Sequence, residues 1–283
     1  MIWSRRHWLA GLAASCGLNL PRHGAGAAGS DLNPAPSPDV GVLPHWTVVR
    51  RPAEFELAAG ARAFELVCRR GYSQVDLTVV IFDRRLATLQ VIDAGAFNVR
   101  NAPDAAVVAD AIAVVNGGYF DPQFEPVGLQ MTNGHATGRW VGDSSLLGGA
   151  VAVRNGLPLL LWRAEVAEPE SFGELLQAGP RLVHNGQPID GFRNDQARPR
   201  TFVATDSGHA WAVGIARSST LANLAELLAT PDILPGVAVN RALNLDGGRS
   251  STLWFTSNTG IRRHHPHAAR VRNYLAVVPA VAE

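Results

Sequence analysis

"GGAVAVRNGLPLLLW", Gly148 to Trp162, decides the fold. Two apolar runs of strand length flank Asn155-Gly156, a dipeptide that readily takes the positive φ values of a two-residue hairpin turn. Such a connection joins only antiparallel neighbours, because a parallel partner needs a crossover of a dozen residues or more. The device recurs in "RLVHNGQPI", Arg181 to Ile189, around Asn185-Gly186. It recurs again in "RTFVATDSGHAWAVGIA", Arg200 to Ala216, which turns at Asp206-Ser207-Gly208.

Outward from these hairpins, "FELVCR", "QVDLTVVIFD" and "TLQVID" upstream and "NYLAVVP" downstream are strands rich in Val, Ile and Phe. Helical signals are few. "DAAVVADAIA" is a short helix with Asn101 or Asp104 as cap and Pro103 near its start, running into the strand "AVVNGGYF". "ESFGELLQAGP" reads as a helix ending at Gly179. "SSTLANLAELLATP" is a helix capped by Ser218 or Ser219 and stopped by Pro231. The expectation is an α+β fold, a mixed, mainly antiparallel sheet with a few packed helices. Nothing after Trp46 separates two domains and no repeat is present, so residues 46–283 are expected to be a single domain.

Before it, residues 1–28 read as an export leader. Ser4, Arg5 and Arg6 precede an apolar run too short for a typical span, and Ala25-Gly26-Ala27 suits cleavage near Ala27 or Ala28. The paired arginines resemble a bacterial twin-arginine signal, which implies a periplasmic or secreted protein with no stable membrane span. A rival, lipidation at Cys16 in "AASC", lacks the usual Leu three residues before the cysteine. Residues 29–45, with four prolines, read as a disordered linker. Loss of the leader leaves Cys68 as the one cysteine, so no disulfide forms within the mature chain; in "FELVCRR" it reads as a buried strand thiol.

The chain is 47% hydrophobic and 17% charged, ordinary for a globular protein, and its formal charge of +1 gives no reason to expect nucleic acid. There is no lysine, which excludes Schiff-base chemistry and the phosphate-loop lysine; any fixed cation in a site is Arg.

Four segments break the packing pattern at element ends: "NGGYFDPQFEPVG" from Asn116, "QAGPRLV" from Gln177, "RPRT" from Arg198 and "LDGGRSS" from Leu245. Each alone reads as a turn, a helix stop or a solvated loop. Together and in this order they resemble the phosphodiester glycosidase family, over about residues 60–280. The family's pattern is Asn-Gly-Gly-aromatic-Phe, Gly-Pro, an Arg-Thr block and Leu-Asp-Gly-Gly-x-Ser-Ser; Arg249 departs from it, standing where a small residue is often found. The resemblance implies a hydrolase that cleaves the anomeric bond of a sugar-1-phosphodiester, of the N-acetylglucosamine-1-phosphodiester kind, in an envelope or extracellular glycopolymer. The alternative is a saccharide-binding protein without turnover on the same fold.

A phosphate diester is a good leaving group, so such a reaction needs anion contacts, an activated water and a stabilised oxocarbenium-like centre more than a strong acid. On this resemblance Arg200, with Arg198, meets the phosphate, because guanidinium offers a planar fork of donors. Asp246 is the base or electrostatic carboxylate, with Asp121 and Glu125 as candidates for a second. Asn116 bonds a sugar hydroxyl or N-acetyl group and Tyr119 stacks on the ring or meets the phosphate. Thr201, Ser250 and Ser251 bind phosphate or hold the loops in shape, while Gly117, Gly118, Gly179, Gly247 and Gly248 offer close approach and backbone N–H groups. No cofactor or metal is expected. His264, His265 and His267 are poorly spaced for ligation and read as a solvated basic loop.

Overall fold

Strand alternation organises the molecule. In the strand Ser73–Asp83, Leu77, Val79 and Ile81 join one apolar cluster while Val80 and Phe82 join another, so both faces are covered and the sequence reads as nearly continuous hydrophobic. The computed structural model describes residues 45–192 and 196–280, which belong to one compact unit, Val42–Glu283. The expected leader with Cys16, and the expected linker apart from His45, lie outside the described residues.

The strands are β1 (Thr47–Glu56), β2 (Arg62–Arg70), β3 (Ser73–Asp83) and β4 (Ala87–Asp93), then helix α1 (Ala102–Ala109) and β5 (Ala113–Asn116). Next come β6 (Gln130–Thr132), β7 (His135–Thr137), β8 (Gly149–Arg154), β9 (Leu157–Trp162), β10 (Glu174–Ala178), β11 (Arg181–His184) and β12 (Gln187–Pro188). The rest are β13 (Arg198–Thr205), β14 (Ala210–Ser219), helix α2 (Leu221–Ala229), β15 (Arg241–Asn244), β16 (Leu253–Thr256), β17 (Arg262–His265) and β18 (Asn273–Pro279).

Three sheets result. The largest has the order β1-β2-β3-β14-β13-β15-β11-β12, the second β7-β6-β10-β8-β9 and the third β17-β16-β5-β18-β4. Every pairing within them is antiparallel. A central core draws Val80, Phe82, Val203 and Val213 from the first sheet, Val151 and Leu176 from the second, and Val115, Phe255 and Leu275 from the third. Helix α2 covers the outer face of the large sheet through Leu224, Leu227 and Leu228, and α1 covers the third sheet with Ala102, Ala105 and Ala106. Phe202 and Phe255, both fully buried, each stabilise the fold by about 1.5–3 kcal/mol relative to exposure.

The hairpins expected at Asn155-Gly156, Asn185-Gly186 and Asp206–Gly208 are present, and Cys68 is a buried thiol of β2 whose pKa burial pushes up to about 12. The α+β expectation needs correction in its balance: with 47% strand and 12% helix, sheets dominate. The segment read as a helix ending at Gly179 is a short 3-10 turn, Pro169–Ser171, followed by β10. Leu175 and Leu176 pack into different clusters on opposite faces, a strand's period of two, and Glu174 accepts the N–H groups of Val91 and Asn133. Helix α2 is capped by Thr220, whose hydroxyl accepts the Asn223 N–H at 3.1 Å, since Ser218 and Ser219 finish β14. For α1 the cap is Asn101, accepting the Asp104 N–H at 2.9 Å. The histidine segment is half strand, because β17 pairs with β16, and His265 Nε2 lies 3.2 Å from Thr78 Oγ1.

Candidate active site

Antiparallel pairing of β13 with β15 sets Phe202 opposite Asn244, and the Leu245 N–H donates to the Thr201 carbonyl at 2.8 Å. One step further along each strand, Arg200 and Asp246 therefore lie at the same end of this interior strand pair. Gly247 packs on Arg200: a Cβ there would lie 3.0 Å from the Pro199 carbonyl oxygen and 3.6 Å from Arg200 Cδ. From the third sheet, the Gly117 carbonyl at the end of β5 accepts the Asp246 N–H at 2.9 Å. Chain segments more than a hundred residues apart thus meet around one carboxylate and one guanidinium.

Tyr119 registers both charges. Burial and then the Asp246 carboxylate raise its pKa, while the hydrogen bond from Asn244 and the Arg200 charge lower it, with a net rise. Its hydroxyl donates to the Gly179 carbonyl at 2.6 Å and accepts from Asn244 Nδ2 at 2.9 Å. Asp246 is itself raised, chiefly by burial; the Ser250 hydroxyl and the Gly247 N–H, the latter 2.7 Å from Oδ1, oppose the rise. Arg200 Nε donates to the Ser219 carbonyl at 3.2 Å.

Asn116, fully buried, has both ends of its carboxamide engaged by protein. Nδ2 donates to the Asp246 carbonyl at 2.8 Å, and Oδ1 accepts from Thr201 Oγ1 at 2.6 Å and from the Thr252 N–H at 3.0 Å. Thr201 is likewise turned inward. The Gly117 and Gly118 N–H groups are taken by the Asn273 backbone and side-chain oxygens at 2.9 and 2.7 Å, so they are not donors for a ligand. What makes these positions glycine is crowding, since a Cβ on Gly117 would lie 2.2 Å from Asn273 Oδ1. At Gly179, before a cis proline, a Cβ would meet the Leu146 carbonyl oxygen at 2.3 Å. Gly248 differs, adopting φ +65° with open space around it.

Asp121 shapes its own loop, its Oδ1 accepting the Gln123 and Glu125 N–H groups at 2.9 Å each, while Glu125 and Arg198 are exposed. Two buried side-chain oxygens close in sequence to Asp246, Asn244 Oδ1 and Ser251 Oγ, have no hydrogen-bond partner among the described residues. An unpaired buried polar atom costs free energy, so such atoms in a site mark where a substrate or water supplies the missing bond. Asn244 is a residue the sequence reading missed, as is the polar chain behind Asn273. Asn273 Nδ2 donates to Gln130 Oε1 at 2.8 Å, Gln130 Nε2 donates to Asp93 Oδ2 at 2.9 Å, and Asp93 pairs with Arg272. Their signal was a polar residue inside an apolar strand run, as in "ALNLD" and "RNYLAVV". Among the described residues no group of three or more His, Cys, Asp or Glu is placed to hold a metal ion, and no helix is long and apolar enough to cross a membrane.

The family model of the phosphodiester glycosidases matches residues 109–278, which include these glycine-rich strand ends with Asp246 and Arg200. The chain belongs to the phosphodiester glycosidase family. A comparison with curated proteins gives no match. Among solved structures the chain is similar to the zebrafish N-acetylglucosamine-1-phosphodiester alpha-N-acetylglucosaminidase catalytic domain, auto-inhibited by its pro-peptide. Identity there is 17% and the TM-score 0.52, over 83% of this chain and 82% of that one. It is also similar to a hypothetical protein from Synechocystis, at 17% identity and TM-score 0.51 over 77% of this chain and 62% of that one. A putative exported protein from Burkholderia pseudomallei matches at 13% identity and TM-score 0.45 over 75% of each chain. For the first two, likeness at 17% identity is one of fold.

Proposed function

We propose that this protein is an exported hydrolase that cleaves the anomeric bond of a sugar-1-phosphodiester, as the zebrafish enzyme's name describes for that protein. The supporting observation is the delivery of Asp246 and Arg200 from one end of the β13–β15 pair to a common neighbour, Tyr119, on which both charges act. Arg200 binds the phosphate through its guanidinium, and Arg198 extends that contact from the rim. Asp246, through its carboxylate, takes the proton of the attacking water or faces the positive charge that develops at C1. Water oxygen bonds to C1, the C1–O bond breaks, and its electron pair leaves on the phosphate oxygen, giving free sugar and a phosphomonoester. Ser251 Oγ and Asn244 Oδ1 complete the polar lining, and Ser250 steadies Asp246. Asn116 and Thr201 act as positioning residues that fix the Asp246 main chain, and Asp121 or Glu125 supplies any second carboxylate from the neighbouring loop. In this reading residues 1–28 direct the protein to the periplasm or beyond the cell, where its substrate is an envelope or extracellular glycopolymer.

The test is release of sugar and phosphomonoester from synthetic sugar-1-phosphodiesters, with Asp246→Asn as control. Turnover lost in the variant supports the assignment. Absence of turnover on a panel of such diesters, together with glycan binding that Asp246→Asn leaves intact, overturns it in favour of a saccharide-binding protein.

A further inference from the structure

A cleft of about 690 Å³ is lined by residues that directly follow two segments holding this site. Pro180 lines it, directly after Gly179, whose carbonyl holds Tyr119 and Asn244. Leu221 lines it two residues after Ser219, whose carbonyl holds Arg200. The loop that carries Leu146 closes tightly against Gly179. Through these junctions the cleft adjoins the segments that hold Tyr119, Asn244 and Arg200, while the Asp246 N–H is held separately by Gly117.

The lining is apolar with a cationic element. Trp162, Leu146, Pro180 and Leu221 supply the apolar surface, Arg163 and Arg181 the charge, and among the described residues Asp190 is the one carboxylate. The Arg181 guanidinium stands 5.4 Å from the centre of the Trp162 ring, and Arg163 is anchored by a hydrogen bond to the Ser144 carbonyl. A volume of this size suits a compact organic group, and two guanidinium groups in a partly apolar cleft suit a further anion.

We infer that this cleft is the leaving-group subsite, and that the leaving group it accepts is a diphosphate carried on an apolar or planar group. The inference rests on the reading of Arg200 as the anomeric phosphate's partner. With that phosphate on Arg200, the second meets Arg181, and the carrier lies against Leu146, Pro180 and Leu221. On hydrolysis water oxygen bonds to C1, its proton passes toward Asp246, the C1–O bond breaks, and the electron pair leaves on the diphosphate. A nucleoside and a prenyl chain are two carriers with this chemistry.

The experiment compares kcat/KM of the full chain on three N-acetylglucosamine esters: the methyl phosphate, the uridine diphosphate and a short prenyl diphosphate. Arg181→Gln and Leu146→Glu, the latter at an exposed position, are expected to lower kcat/KM on a diphosphate ester about tenfold or more beyond any loss on the methyl ester. Whichever diphosphate ester shows this names the carrier. Equal losses on all three esters overturn the inference. In parallel, calorimetry measures binding of uridine diphosphate and of prenyl diphosphate; affinity for both unchanged in both variants overturns the subsite even where no ester is hydrolysed. Absence of hydrolysis with binding that weakens in the variants leaves the subsite standing and overturns the hydrolase reading.

Discussion

The Tyr119 hydroxyl donates a 2.6 Å hydrogen bond to the carbonyl oxygen of Gly179, fastening the end of the Asn-Gly-Gly segment to the turn between β10 and β11. Asn244 donates to both of these oxygens, at 2.9 and 3.1 Å, so three motifs distant in sequence share one small polar node. Replacing Tyr119 by Phe removes a donor from Gly179 and an acceptor from Asn244. The expected loss of stability is about 1–3 kcal/mol, measured by urea unfolding, with a fall in kcat/KM on a sugar-1-phosphodiester.

Asp246→Asn keeps the shape of the side chain and removes its charge. The expected fall in kcat is about 10²–10⁴-fold, read in a steady-state assay of sugar release.

The pH dependence follows from the raised pKa of Asp246. Because burial disfavours the ionised form, the folded state binds this proton more tightly than the unfolded state does. The stability this contributes is complete below the ordinary value of 3.8 and is lost as pH rises through the higher folded value. Asp246→Asn is therefore expected to be more stable than the wild type at pH 7, an advantage that shrinks toward pH 3 in denaturant titrations. The acid limb of wild-type kcat/KM should have its midpoint above 3.8.

Behind the site, Asp93 and Arg272 are a buried pair, their side chains 6% and 8% exposed. Burial opposes ionisation of Asp93, yet Arg272 and the Gly95 and Ala96 N–H groups hold its pKa below the ordinary range. Arg272→Met leaves the carboxylate without its counter-ion, and the expected cost at pH 7 is about 3–5 kcal/mol by chemical denaturation. In the wild type the Asp93 contribution is present above 3.8 and fades as pH falls, so the gap between variant and wild type narrows in acid.

Gly117→Ala forces a Cβ to within 2.2 Å of Asn273 Oδ1 and displaces the acceptor of the Gly118 N–H. A destabilisation of about 1–3 kcal/mol is expected, with partial recovery when Asn273→Ala is added. A double-mutant cycle by thermal unfolding gives the coupling.

Much of this was legible from residue order. Asn155-Gly156 and Asn185-Gly186 announced antiparallel hairpins because their turn chemistry is local, and the segments bearing Arg200 and Asp246 stood out as polar interruptions of apolar runs. Leu175-Leu176 misled because two adjacent apolar residues fit a helix stripe as well as a strand buried on both faces. The division into three sheets depends on pairings such as β13 with β15, which no local signal encodes. For the same reason Asn116 was legible as important but not as a lock: its partners are Thr201, Asp246 and Thr252, and only folding reveals which polar groups consume one another.

Strand β18 lies between β4 and β5 and, through Asn273, holds the glycines that lead into Tyr119. On the ribosome, then, the nascent chain carries β4 and β5 each with an open edge until residues 273–279 emerge, and the glycines that lead into Tyr119 are fastened only after translation of that stretch.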